Sequence, residues 1–121
     1  MQLSRVSDII LRISDFDQSL GFYRDVLGLH VKGVVPGDWI FLEGDGVELD
    51  LHVGEPLPGS TEIVFEVDNI NEAYQTLAAR GVRFHVQPRP VTSTATHDLL
   101  AADFRDPDGH ILSIKSWEPR P

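Results

Sequence analysis

The sequence predicts an α+β fold made of two successive βαβββ modules, and three observations carry that prediction. Several short stretches alternate apolar and polar residues with a period of two, as strands do. Two longer stretches carry apolar residues at helical spacing instead. The order of elements in the first half then returns in the second, which is the mark of an internal repeat. A chain of 121 residues is one domain by length, with module one over about 6–54 and module two over about 60–118.

Residues 8–13 place Ile9, Leu11 and Ile13 on one face and Asp8, Ile10 and Arg12 on the other, the pattern of a half-buried strand. Asp15 is a ready N-cap. Phe16, Leu20, Tyr23 and Leu27 recur at helical spacing, predicting a helix over about 17–26 that Gly28 ends. The side chains of Leu20, Tyr23 and Leu27 are expected to bury against Ile9, Leu11 and Ile13. Strands are expected over 29–35, 39–42 and 47–53, with Pro36-Gly37 and Gly44-Asp45-Gly46 as the turns between them.

Residues 54–59 form a short, stiff connection, after which the order restarts. Ile63, Phe65 and Val67 line one face of a strand over 62–67. Asp68 or Asn69 caps a helix over 70–80 that carries Ile70, Ala73, Tyr74 and Leu77 and stops at Gly81. Three further strands are expected over 82–87, 99–105 and 110–117. Between the last two lies Asp106-Pro107-Asp108-Gly109, a turn in which proline presets φ, aspartate bonds back to the backbone and glycine takes positive φ. Asp8 and Glu62 stand 54 positions apart, as do Phe16 and Ile70, and Leu20 and Tyr74. Identity between the halves is low, so the shared order is the stronger sign of duplication.

Hydrophobic residues make up 41% and charged residues 24%, an ordinary globular composition. No apolar run approaches the roughly 20 residues of a membrane span, so no membrane partner is expected. Residues 1–5 lead directly into a strand without the apolar block of a signal peptide, and a cytoplasmic location is expected. With no cysteine, thiol catalysis and disulfides are excluded. A Gly-rich phosphate loop and a Gly-x-Ser-x-Gly elbow are also missing. Acidic residues number 19 against 10 basic, a formal net charge of −9 that argues against nucleic acid. That charge suits a cationic ligand or a metal ion, and it also serves solubility alone.

Residues 13–29, from Ile13-Ser14-Asp15-Phe16 through Phe22-Tyr23-Arg24-Asp25-Val26-Leu27-Gly28-Leu29, resemble the opening signature of the glyoxalase, bleomycin-resistance and dioxygenase superfamily. Phe65-Glu66-Val67-Asp68 and Asp106-Pro107-Asp108-Gly109-His110 resemble its second-half signatures, so the likeness spans nearly the whole chain. It implies a vicinal oxygen chelate fold, with two modules forming a partly open mixed β barrel around one cavity. It also implies a homodimer, with modules in some members paired across chains. These motifs serve a helix, its packing and a turn, so they speak for fold more than for activity.

Enzymes of this superfamily hold a divalent metal with His or Gln, Glu, His and Glu, one from each of four strands. By motif position those slots fall on Asp8, Glu48, Glu62 and Ser113. Both histidines are replaced and one carboxylate has become a hydroxyl. No tightly held zinc, nickel or iron is therefore expected; the alternative is a hard divalent ion on Asp8, Glu48 and Glu62. Converging carboxylates must otherwise take up protons or meet a cation. Arg12, on the face of Asp8, is the expected internal partner.

His52 shares the face of Glu48 and Asp50 and reads as a ligand, a general base or a cavity wall. Trp39 reads as a cavity-mouth seat for a flat or cationic ligand, or as an edge or dimer contact. Trp117 reads as packing at the chain end, and His110 as lying at a strand end. His85 reads as packing or exposed, His30 as near a sheet edge, and the polar run 92–97, ending at His97, as a flexible flap.

Two function classes follow. In the first, the chain resembles bleomycin-resistance proteins and sequesters a small organic ligand, cationic or aromatic and antibiotic-like, using Arg12, Trp39, Glu48, Asp50, His52 and Ser113. In the second it is a divalent-metal-dependent lyase, isomerase or epimerase of the glyoxalase type. Ring-cleaving dioxygenase chemistry fits poorly, because it needs two histidines and a carboxylate around iron.

Overall fold

The two halves of the sequence fold as two units, Met1–Leu57 and Pro58–Pro121, each running strand, helix and three strands. The structure, a computed structural model, describes Met1, residues 3–59 and residues 61–121. Gln2, within the N-terminal segment read for a leader, and Ser60 lie outside the described residues. Among the described residues, no helix is long and apolar enough to cross a membrane.

In the first unit, β1 (Asp8–Ile13), β2 (Val31–Val35), β3 (Trp39–Leu42) and β4 (Glu48–Val53) form a mixed sheet of order β1-β4-β3-β2. β1 runs parallel to β4, and the other pairs are antiparallel. On β1, β3 and β4 the apolar phase faces the core: Leu11, Ile13, Ile40, Leu42, Leu49 and Leu51 are buried together with Tyr23. Helix α1 (Phe16–Leu20) starts where expected, with Asp15 Oδ1 accepting from the Gln18 N–H at 2.9 Å.

Its continuation departs from the expectation. Residues Gly21–Val26 form a π-helical turn, in which the Leu27 N–H donates to the Phe22 carbonyl five residues back. The extra residue in such a turn shifts the side-chain phase. Tyr23 becomes fully buried, whereas Leu20, Leu27 and Ile9 stay half-buried. Leu29 is tied to the Tyr23 carbonyl at 3.0 Å, so β2 begins at Val31 rather than at 29.

The second unit repeats the plan with β5 (Glu62–Glu66), α2 (Ile70–Ala79), β6 (Phe84–Ser93), β7 (His97–Arg105) and β8 (Ile111–Pro119), in sheet order β5-β8-β7-β6. Asn69 caps α2 by accepting from the Glu72 N–H at 3.0 Å. The helix packs on β6, β7 and β8, with Tyr74 against Phe84 at 4.6 Å between ring centroids.

The polar run 92–97 is no flap. Thr92 and Ser93 extend β6 and His97 opens β7, so the run is the tip of a long hairpin. Thr94 N–H donates to the His97 carbonyl at 2.8 Å, and the Ser93 hydroxyl donates to Asp98 at 2.6 Å. Threonines favour extended backbone, and these hydrogen bonds replace the burial that a polar strand lacks. Pro88 and Pro90 are accommodated because β6 is an edge strand with register shifts.

Candidate functional site

Each sheet has one face turned away from its helix, and on the first sheet that open face gathers the polar residues of interest. The register aligns Asp8 with Glu48, Ile10 with Asp50 and Phe41, and Arg12 with His52 and Trp39. Strand alternation therefore puts Asp8, Arg12, Trp39, Glu48, Asp50 and His52 on one surface, with their neighbours Leu11, Ile40, Leu49 and Leu51 in the core.

Asp8, Glu48 and Asp50 converge, with ligating oxygens all within 4.8 Å of one another. Three ionised carboxylates at that spacing would repel by about 3 kcal/mol per pair at an effective dielectric near 20. The cluster relieves this in two ways. Asp50 lies on central β4 and is only 4% exposed; burial first, then hydrogen bonding and charge from Asp8 and Glu48, push its pKa up to about 8. Asp8 is held at about 2, chiefly by its hydrogen bond with Ser7 and then by its side-chain interactions with Asp50 and Glu48. Near neutrality one proton thus stays on Asp50 and is shared toward its neighbours. The second relief is Lys32, whose ammonium lies 2.8 Å from Glu48 Oε1. Its own pKa is raised, first by that hydrogen bond and then by the charge of Glu48.

Lys32 takes the place expected of Arg12. Register shifts between Val31 and Gly33 make Lys32 the extra residue of a bulge on β2, which re-aims it onto the open face. Arg12 makes no ion pair with the carboxylates; its stem lies over Gly54, where an added Cβ would come within 3.2 Å of Arg12 Cδ. The bare glycine draws the long side chain along the strand end.

At the other end of the face, the His52 ring lies flat on Trp39, 3.8 Å between centroids and 7° between planes. Phe41 stacks on Trp39 at 5.7 Å. His52 Nε2 is 3.0 Å from Asp38 Oδ1, so the imidazole is turned to the aspartate rather than to Glu48 and Asp50. Beside the carboxylates lies a cavity of about 450 Å³, lined by Arg5, Ser7, Asp8, Lys32, Glu43 and Glu48 among others. Gly44 belongs to its wall, and any Cβ there would collide with the Val47 carbonyl oxygen.

Glu62 and Ser113 belong to the sheet of the second unit, on adjacent strands β5 and β8. Ser113 is buried between Val64 and Asp103, and Glu62 is exposed. Trp117 is 39% exposed rather than packed at the chain end. His110 precedes β8 and is buried, with Nδ1 2.7 Å from Asp106 Oδ2. Asp106 Oδ1 also accepts from the N–H groups of Asp108 and His110, which makes this group the lock of the turn.

The donors of the first sheet fit a hard divalent ion and not a nitrogen- or sulfur-preferring one. All three are carboxylates, and Asp50 Oδ1 is buried with no hydrogen-bond donor reaching it. The sequence put Asp50 on the face of Glu48 and among the ligand contacts, but took Glu62 rather than Asp50 as the third carboxylate beside Asp8 and Glu48.

The sequence profile of the Glyoxalase/Bleomycin resistance protein/Dioxygenase superfamily matches residues 5–114. A virulence protein of Salmonella typhimurium is 27% identical over 127 residues, covering 97% of this chain and 87% of that protein. The crystal structure of a virulence protein from that organism superposes with a TM-score of 0.79 at 25% identity, covering 97% of this chain and 99% of that one. A glyoxalase-related enzyme from Fulvimarina pelagi gives 0.76 at 26% identity, over 94% and 88%. A lactoylglutathione lyase from Agrobacterium tumefaciens gives 0.79 at 19% identity, over 96% of each chain, a likeness of fold alone.

Proposed function

Since this chain belongs to the glyoxalase/bleomycin resistance protein/dioxygenase superfamily, we propose that it binds and sequesters a small organic ligand bearing a positive charge or an aromatic ring, antibiotic-like in character, without a transition-metal centre. One observation carries this reading: a cluster of three carboxylates and a stack of three aromatic rings share one face of one sheet. Glu48 supplies the negative field with Asp50, held neutral beside it, as a hydrogen-bonding wall, Trp39 and His52 the flat contact, and Arg12 the polar rim. The working form is a homodimer, in keeping with the open edges of both sheets.

The test is a calorimetric titration with benzyltrimethylammonium and with its neutral isostere neopentylbenzene. The cation is expected to bind the tighter of the two, and Glu48→Gln to weaken it by about 1 kcal/mol or more. Equal affinity for cation and isostere would sink the reading.

A second reading, a divalent-metal-dependent lyase, isomerase or epimerase, is favoured by the convergence of Asp8, Glu48 and Asp50. These carboxylates would hold the ion, and its chemistry there would be to polarise a substrate oxygen.

A further inference from the structure

We propose that Asp38 holds His52 in one tautomer, so that His52 Nδ1 is a fixed hydrogen-bond acceptor on the open face of the first sheet and selects a ligand whose cationic group carries an N–H. The ligand class is then a protonated amine on an aromatic ring, rather than a quaternary ammonium. This rests on the organic-ligand reading and names the class of ligand within it.

The tautomer follows from the partner. His52 Nε2 lies 3.0 Å from Asp38 Oδ1. A carboxylate only accepts, so Nε2 carries the proton, and in a neutral imidazole the other nitrogen is then an acceptor. Among the described residues no hydrogen bond reaches Nδ1. The side chain is 28% exposed, which leaves the ring within reach of a ligand.

The pair is held from both ends. The Asp38 N–H donates to the Val35 carbonyl at 2.9 Å across Pro36-Gly37, where Gly37 takes φ 74°. The Val53 N–H donates to the Asp38 carbonyl at 2.9 Å, which ties Asp38 to the strand position next to His52. Trp39 and His52 are register partners, and their rings stack at 3.8 Å and 7°. Carboxylate, ring and stack are therefore set before any ligand arrives, and little side-chain freedom is left to lose on binding.

The carboxylates and this nitrogen discriminate differently. Asp8 and Glu48 are anions and attract any cation, quaternary ones included. Nδ1 is neutral and rewards only a donor, and its lone pair lies in the ring plane, so the donor meets the edge of the stack while an aromatic group lies on its face. One methylene between ring and nitrogen lets a single ligand do both. A quaternary ammonium takes the water from Nδ1 and returns no hydrogen bond, the kind of loss by which a site rejects an analogue that lacks one donor.

The experiment is calorimetric titration at about pH 8, where an ordinary imidazole is neutral, comparing benzyldimethylammonium with benzyltrimethylammonium. The two share ring and charge and differ by one N–H. The parent is expected to prefer the N–H cation about tenfold. Asp38→Ala, at a side chain that is 53% exposed, is expected to cut that ratio to twofold or less, because the ring is then free to turn its nitrogens. Reading the ratio cancels any loss the two cations share. Long-range proton–nitrogen correlation spectra of His52 supply a signature that a merely structural Asp38 would not move. They should show the proton on Nε2 in the free parent, and an Nδ1 resonance that shifts with benzyldimethylammonium but not with the trimethyl cation. A proton on Nδ1 in the parent, equal affinities, binding of neither cation, or a ratio unchanged in Asp38→Ala overturns the proposal. Tighter binding of benzyltrimethylammonium than of neopentylbenzene scores the organic-ligand reading by itself, so the two can fail separately.

Discussion

Asp50 concentrates the chemistry of the open face in one side chain, and its cost in the cation-free protein is measurable. The unfolded chain releases this proton near pH 3.9, whereas the folded chain keeps it up to about 8. Between those values the native state binds the extra proton, so stability falls as pH rises and the full penalty is present above 8. An Asn at this position carries no charge to bury. Asp50→Asn, unfolded with urea in the presence of chelator, is therefore expected to gain about 1 kcal/mol or more over the parent at pH 8, on the order of one pKa unit. The gain should be smaller at pH 5. A variant whose stability runs parallel to the parent across that range would show that Asp50 is not the proton holder. The alternation of Glu48, Asp50 and His52 made this face legible in the sequence. The pairing of Lys32 with Glu48 was not, because it depends on a bulge that inserts one residue into β2. Nor was the escape of Arg12 over Gly54, which is a matter of the space left by a missing Cβ.

Elements were legible wherever local chemistry decided them. Asp15 and Asn69 cap their helices, and β3 runs Trp39–Leu42 as its alternation required. Legibility ended where hydrogen bonding at a distance took over: the π-helical turn that buries Tyr23, and the β6–β7 hairpin that absorbs a polar run. The turn before β8 combines both kinds of information. Its proline and glycine announce it, with Gly109 at φ 88°, but only the folded chain puts Asp106 and His110 in a buried pair. Asp106 accepts two backbone N–H groups and faces the imidazole, so Asp106→Ala would leave several buried donors unsatisfied. A loss of about 3 kcal/mol is expected, since hydrogen bonds to charged groups contribute about 1.5–3 kcal/mol each and the losses within one network overlap. Asp108→Ala, at a half-buried position, should cost much less. Equal losses in urea denaturation would show that the turn, not the buried pair, sets the stability of β8.

At the scale of the whole molecule, each unit presents unpaired strand edges and exposed apolar residues. The outer strands are β1 and β2 in one sheet and β5 and β6 in the other. Along them Ile10, Val34, Val35, Val64 and Val91 are between 44% and 53% exposed. Such edges favour pairing with another chain, and exposed apolar residues add a hydrophobic reward of roughly 25 cal/mol per Å² covered. The net charge of −9 opposes association of identical chains. That opposition is screened by salt, with a Debye length of about 10 Å at 0.1 M, whereas apolar burial is not. Two consequences can be read by sedimentation at micromolar concentration. The chain is expected to run as twice its 13.5 kDa mass, and the dimer should tighten as salt rises from 20 to about 300 mM. Replacing Ile10 and Val64 together by Thr should raise the dimer dissociation constant at constant salt if these open faces take part. A monomer at every salt concentration would mean that the edges are tolerated singly, and a dimer that loosens with salt would mean that ion pairs rather than apolar contact hold it.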